Sequence, residues 1–382
     1  MSAFSKKIRI PGLTGHVYPP APSWSLERSV SQLVDHFKQF PGSCILTGAG
    51  LSVDSGIRAY RGEGGSYTVN KKHRPIFYQE FVEEESKRRR YWARSYLGYP
   101  PVREAEPNPG HYAIAALMKM GYVSRLITQN VDGLHHKAYD SDLTTYHSQA
   151  NVPTRSQNPP VTPDPPILEL HGTLRHAGCL SCQHLVQRDT FQDRLSELNP
   201  KWKQYSDQVR HEHRKEVLNP DGDVELGPGV RYEEFNVPAC DQCGGPMKPR
   251  VTFFGESLEP QVRDLATQFI SSSTSLVVLG SSLATFSAFR LVKLAKEQEK
   301  SVGLVNVGQS RGDGVVDWRI GWQGGISQVL PLVVERLLHV AETETVESLA
   351  RGIDVSDEVK SQVRDMLTKG IVKKVSAGSG AS

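Results

Sequence analysis

The sequence has no apolar run approaching the roughly 18 residues that cross a bilayer as a helix. It also lacks a charge excess. Lys and Arg total 45 against 42 Asp and Glu, a formal +3, so the overall balance carries no mark of a nucleic-acid binder. Cysteine is scarce, at five in 382 residues. Four of the five form two C-x-x-C pairs, which favours a metal in a reducing compartment over a disulfide framework, and Cys44 is left over as a small core residue. From Met1 to Ser25 there is no acidic side chain, while Lys6, Lys7 and Arg9 are interspersed with hydroxyls. That composition is compatible with a short mitochondrial presequence, although Pro11, Pro19, Pro20 and Pro22 also suit an ordinary unfolded terminus. The length suffices for a large core with a satellite domain.

The chain is organised around Ser43 to Arg61. Cys44-Ile45-Leu46 has the character of a buried parallel strand, and it empties into Gly48-Ala49-Gly50, where the chain must turn. A helix is expected to open there. Its free N–H groups, with the Ser52 and Ser55 hydroxyls, would face a pyrophosphate. The dehydrogenase fingerprint is absent as such: the third glycine falls late, at Gly56, and the position about 20 beyond Gly50 is Asn70 rather than an acid. A tight turn with no ligand is the ordinary alternative.

Ser25 is a candidate cap for a helix carrying Leu33, Val34 and Phe37. Glu83, Glu84 and Glu85 stand four residues before Lys87, Arg88 and Arg89, which reads as solvated ion pairs. A helix with Ala113, Leu117 and Met118 leads to the strand around Leu126 and Ile127, and then to Gln129, Asn130 and Asp132. Further strands run from Ile167 to Leu170, Leu276 to Leu279 and Val302 to Val305. Strands alternating with helices predict a doubly wound parallel sheet. Residues 140 to 166 and Asn219 to Asp223 read as surface loops. The tail from about Ala341 reads as an appendage, with a helix capped by Ser356 and ended by Gly370. Cys179, Cys182, Cys240 and Cys243 would hold one zinc in a closed, structural four-thiolate site.

Taken in order, GAG-x-S-x-x-SGI-x-x-[FY]R, TQN-x-DGLH, LHG, the two C-x-x-C pairs, FFGE, GSSL and a strand ending in Asn resemble the sirtuins over about residues 30 to 340. Arg90 to Arg94, Leu198-Asn199-Pro200 and the Asn219 turn resemble the class II, mitochondrial sirtuin-4 branch. The resemblance implies an α/β fold, a Rossmann-like doubly wound sheet with a smaller zinc-ribbon and helical domain. It implies Rossmann-like parts at about 30–70, 107–175 and 247–340, and a small domain at about 71–106 and 176–246. Extensions would cover 1–29 and 341–382.

The implied activity is NAD-dependent protein-lysine deacylation, with the acyl group passing to ADP-ribose and nicotinamide released. The implied cofactors are NAD and zinc. The implied partner is an acyl-lysine protein or peptide, with no nucleic acid and no membrane, in the mitochondrial matrix or alternatively the nucleus or cytoplasm. Gly48, Ala49, Gly50, Ser52, Tyr60 and Arg61 would line the NAD site, with Gly280, Ser281, Ser282 and Asn306 on the adenosine side. Gln129 would hold the nicotinamide ribose, and Asn130 and Asp132 would form the nicotinamide pocket. His171 would be the base, a role suited to a neutral imidazole near pH 7. Thr252, Phe253, Phe254, Gly255 and Glu256 would receive the substrate peptide, and Tyr91 and Arg94 would read the acyl tail. His135 and His136 would be structural. Arg58-Ala59 departs from the Pro-Asp common in the family, Tyr139 from a common Gly, and two inserts are longer than usual. Two other readings stay open: a mono-ADP-ribosyltransferase, and a non-catalytic NAD-binding zinc module.

Overall fold

The computed structural model describes residues 24–61, 64–69, 74–139, 166–211, 219–221, 224, 231–322, 324–343, 353 and 355–378, the last eight as backbone only. Residues 1–23 of the presequence candidate, the residues Lys71 to His73 and the loop from 140 to 165 lie outside these. Ser25 caps α1 (Leu26–Gln39), its hydroxyl accepting the Arg28 N–H at 3.2 Å. Then come β1 (Ser43–Thr47), α2 (Ser66–Val69), α3 (Tyr78–Glu83), α4 (Glu85–Glu104), α5 (Pro109–Lys119), β2 (Val123–Thr128), α6 (Leu134–Tyr139), β3 (Ile167–Glu169), β4 (Gly172–Cys179) and β5 (Leu185–Gln187). They are followed by α7 (Arg188–Leu198), α8 (Pro200–His211), β6 (Met247–Val251), α9 (Pro260–Ser272), β7 (Ser275–Leu279), α10 (Phe286–Glu297), β8 (Ser301–Val305), β9 (Trp318–Ile320), α11 (Ile326–Thr343) and α12 (Asp357–Gly378).

Six strands form one parallel sheet in the order β3-β2-β1-β7-β8-β9. Its central strands β1 and β7 are buried throughout because both faces are covered, and their middles are apolar. Ile45, Val277 and Leu279 point into a core shared with α1, α5 and α11, while Cys44, Leu46, Leu276 and Val278 point into one shared with α9 and α10. The strand order reverses between β1 and β7, and a crevice opens beyond the carboxyl ends of strands at such a reversal. A second sheet, β5-β4-β6, is antiparallel. It packs with α4 and α7 on a separate aromatic core that includes Phe81, Trp92, Phe191, Trp202 and Phe235. On the charged helix, Arg89 pairs with Glu85 at 2.6 Å as read, but Arg88 instead donates to the Phe81 and Val82 carbonyls.

Three expectations change. After Gly48 no α-helix forms: two single 3₁₀ turns, Ala49–Leu51 and Val53–Ser55, end at Gly56 with φ +83°. The Asn108 side chain holds this segment by donating to the Leu51 carbonyl at 2.7 Å and to Ser55 Oγ at 3.1 Å. The tail is no appendage, since Val355, Val363 and Leu367 are buried in the core that contains α5. Gly370 does not stop α12; a Cβ there would lie 3.2 Å from Pro109, so the missing side chain allows close packing on α5.

Candidate functional site

The crevice floor is made by two glycine segments pressed together. Gly48 N–H donates to the Leu279 carbonyl at 3.1 Å and Gly50 N–H to the Gly280 carbonyl at 2.9 Å. A Cβ on Gly48 would stand 2.8 Å from Ser281 Cβ, so these glycines serve backbone against backbone before they serve any ligand. Gly280 itself has φ +61°.

Side chains from the β1 and β2 ends converge above that floor. Ser52 Oγ donates to Asp132 Oδ2 at 2.7 Å, and Asn130 Nδ2 donates to Ser52 Oγ at 3.0 Å and to the Gly48 carbonyl at 3.2 Å. Gln129 Nε2 donates to Ser281 Oγ at 2.7 Å and to the Thr47 carbonyl at 3.1 Å. Burial raises the Asp132 carboxyl above its ordinary value, against the N–H of Leu134 and the Ser52 hydroxyl, which favour the anion. Beneath them His135 Nε2 lies 2.9 Å from Thr47 Oγ1 in the core, in keeping with a structural role.

His171 sits where β3 gives way to β4. Gly172 follows with φ +80°, and a Cβ there would meet the Arg250 carbonyl at 2.1 Å, so only glycine lets β4 approach β6 beside the histidine. His171 Nδ1 is 3.2 Å from the Gln129 carbonyl and Nε2 is 2.8 Å from Ser287 Oγ. Because a carbonyl only accepts, Nδ1 carries the proton of the neutral ring and Nε2 presents its lone pair. Burial lowers this histidine to about 4, so at neutral pH the ring is an unprotonated base.

The remaining sequence candidates distribute around the crevice. Asn306 Nδ2 donates to the Gly308 carbonyl at 2.8 Å and the Ser282 carbonyl accepts from Arg311 N–H at 2.9 Å. Tyr60 stacks on Tyr67, and the Arg61 guanidinium lies 5.4 Å from the same ring. A cavity of about 50 Å³ is lined by Tyr60, Tyr91, Arg94, Asp221, Thr252 and Phe253, among others, and so brings the expected tail-reading pair to the expected peptide segment. Arg94 is 5% exposed and donates from Nε to the Val224 carbonyl at 3.1 Å. Glu256 is turned inward: its carboxylate accepts the Phe253 N–H at 2.7 Å and pairs with Lys248 at 3.0 Å, which braces the turn through Gly255. Asn219 is buried and accepts from the Ser66 hydroxyl at 2.8 Å, and Asp221 lines the cavity, so these two residues have inward-facing roles that a surface loop does not give them.

Cys179, Cys182, Cys240 and Cys243 have sulfurs all within 4.8 Å of one another. The 3.4 Å Cys179–Cys243 and 3.7 Å Cys182–Cys240 separations are near the ~3.8 Å edge of a tetrahedron with ~2.3 Å Zn–S bonds. Burial opposes ionisation of Cys179, but the N–H groups of Cys182 and Ser181 donating to its sulfur, with the neighbouring thiols, bring it down to about 6. The donor set fits zinc, and it leaves no open coordination position.

A family model described as the Sir2 family matches residues 48–156 and 162–287. The chain belongs to the Sir2 family. Its relatives include an "NAD-dependent protein deacylase SIR4" of Batrachochytrium dendrobatidis, 41% identical over 300 residues, covering 78% of this chain and 91% of that one. The human "NAD-dependent protein lipoamidase sirtuin-4, mitochondrial" is 34% identical over 289 residues, covering 76% and 81%. Among solved structures, a Sir2 homologue in complex with ADP-ribose aligns with a TM-score of 0.58 at 22% identity, over 82% of this chain and 98% of that one, which shows the shared fold.

Two residues of this Sir2-family site were not found from sequence. Asn108 carries a signal that was there to be read, since an Asn before Pro109 is a helix cap with proline in the first turn. Ser287 carries none: a serine in the first turn of α10 gives no hint that it will meet a histidine 116 positions away.

Proposed function

We propose that this protein is an NAD-dependent protein-lysine deacylase, and the observation that carries the reading is the state of His171. Its Nδ1–H is committed to the Gln129 carbonyl, its Nε2 lone pair accepts from the Ser287 hydroxyl at the start of α10, and burial keeps it neutral. NAD, when bound, supplies the ADP-ribose that accepts the acyl group as nicotinamide departs. The residues of this chain have the remaining tasks. Gly48, Ala49, Gly50, Ser52, Tyr60 and Arg61, with Gly280, Ser281, Ser282 and Asn306, would hold the dinucleotide. Gln129 would orient its ribose, and Asn130 and Asp132, locked through Ser52, would face the nicotinamide. His171 would take a proton from a ribose hydroxyl so that the oxygen can attack the acyl carbon.

The acyl-lysine would lie along Thr252 to Glu256, with its tail toward Tyr91 and Arg94. The Asn130–Ser52–Asp132 chain supports this assignment because three polar side chains from the segments after β1 and β2 are oriented before any ligand arrives. The Rossmann-like and small domains would meet at this crevice, near the boundaries expected from sequence. The mitochondrial naming of the human relative and the acid-free, basic first 25 residues support a mitochondrial matrix location. Among the described residues no helix is long and apolar enough to cross a membrane.

The test is a panel of acyl-lysine peptides incubated with NAD. Nicotinamide release that requires an acylated peptide, with the acyl group recovered on ADP-ribose, is the expected result. Transfer of label from NAD to protein would replace this reading with mono-ADP-ribosylation. Binding of NAD with neither product would leave a non-catalytic module.

A further inference from the structure

The lone pair of His171 is already engaged. Ser287 Oγ lies 2.8 Å from Nε2, and with Nδ1–H directed at the Gln129 carbonyl the ring has no second lone pair. Ser287 must therefore be the donor to the neutral ring. The serine is not loosely held. It sits in the first turn of α10, whose cap residue Thr285 has no side-chain bond to its own helix and instead reaches Gln129 Oε1 at 3.4 Å. Gln129, His171, Ser287 and Thr285 thus close a ring of contacts between the ends of β2 and β3 and the start of α10. Gln129 is further tied to Ser281 Oγ and to the Thr47 carbonyl, so the ring is anchored to the crevice floor.

Resting on the reading of His171 as the base, we propose that Ser287 is a proton relay through which His171 acts. The Ser287 hydroxyl proton passes to Nε2 while Oγ takes the proton of the reacting ribose hydroxyl. One O–H bond is broken at the sugar and one formed at Ser287, and one O–H is broken at Ser287 and one N–H formed at His171. The serine ends neutral, the imidazole becomes imidazolium and the sugar oxygen carries the electron pair for attack. The Ser287 oxygen then accepts from the new Nε2–H, so the hydroxyl serves the ring in both protonation states.

Three variants and two kinds of measurement test this. His171→Ala, Ser287→Ala and Ser287→Thr are compared for acyl transfer and for exchange of labelled nicotinamide into NAD in the presence of acyl peptide. Exchange reports only the step before any proton is needed. Ser287→Ala is expected to slow acyl transfer by about 10²-fold, the range for loss of a positioned proton-transfer group, while exchange and the KM for NAD stay near wild type. Ser287→Thr, which keeps the hydroxyl, is expected to retain most of the transfer rate.

In the free protein labelled with ¹⁵N-histidine, the His171 Nε2 resonance should move downfield in Ser287→Ala, through loss of the accepted hydrogen bond, and stay in place in Ser287→Thr. Unchanged or faster transfer by Ser287→Ala would mean that the serine swings away and His171 acts directly, which overturns the relay alone. Equal loss of exchange and transfer would make Ser287 a binding or structural residue and also overturn it. Transfer by His171→Ala at the wild-type rate would remove the base assignment and the relay together.

Discussion

Gly50 donates its N–H to the Gly280 carbonyl at 2.9 Å, and a Cβ on Gly50 would stand 2.8 Å from that same oxygen. The two residues lie at the reversal of strand order, so the shape of the crevice depends on a contact that admits no side chain. Gly50→Ala should force the loop away from β7, with a stability loss of about 1 to 3 kcal/mol, as for other overpacked sites, and markedly weaker NAD binding. Thermal unfolding and calorimetric titration with NAD check both. Wild-type affinity in a Gly50→Ala protein would show that the loop can relocate without harm.

The zinc prediction follows from the sulfur geometry. Chelation should remove one zinc per chain and disorder the sheet that carries Cys179 at the end of β4, because metal binding and local folding form one equilibrium. The six-stranded sheet has its own cores and should persist. Elemental analysis with circular dichroism reads this out, and folded active protein without zinc would exclude it.

Buried and half-buried histidines set the expected acid sensitivity. Burial lowers His36 and His171 to about 4 and His135 to about 3, and it holds His111 and His136 well below the ordinary value. Each is neutral in the fold but protonates in the unfolded chain below about pH 6.5. Their contribution is therefore complete above that pH and is lost as pH falls toward the folded values. The slope approaches about 1.4 kcal/mol per pH unit per histidine within that window. Asp132, raised by burial, takes up a proton in the fold and offsets part of one such contribution. Urea unfolding midpoints should drop steeply between about pH 6.5 and 5. A flat profile would contradict the burial of these rings.

The proposed tail-reading role of Arg94 predicts an acyl preference. If its guanidinium reads a carboxylate tail, Arg94→Met should weaken the transition state for such acyl groups by about 1.5 to 3 kcal/mol, the usual worth of a hydrogen bond to a charged group. Acetyl-lysine should be little affected. Asp221 lines the same cavity and would oppose a second negative charge, so Asp221→Asn should shift preference further toward acidic tails. Ratios of kcat/KM across acetyl and carboxylated acyl peptides decide this. Equal effects of Arg94→Met on both classes would leave the arginine structural, held by Val224.

The parallel sheet was legible because its strands are short apolar runs followed by polar clusters, and the thiolate set because C-x-x-C spacing is local. What was not legible depended on the third dimension. Gly48 and Gly50 read as a turn that opens a helix toward a pyrophosphate, whereas their first neighbours are Gly280 and Ser281, just after β7 and more than 200 residues onward. Asn219 and Asp221 read as a polar turn because nothing in the local sequence reveals the buried Ser66 partner or the cavity. Gly370 carried the usual sign of a helix end, and only the proximity of Pro109 shows why a glycine stands inside the helix.

The arrangement of the sheet also bears on how the chain is made. Ser43 and Ser275, at the starts of β1 and β7, share a hydrogen bond across 232 residues of sequence. A ribosome delivers β1 more than 200 residues before its neighbour β7, so the middle of the sheet keeps an unpaired edge in the interval, and α12, which packs on α5, follows later still. Such distant pairings fold slowly and expose sticky edges meanwhile. The nascent chain therefore benefits from shielding in that interval, and dilution from denaturant should recover active protein in better yield when a chaperone is present.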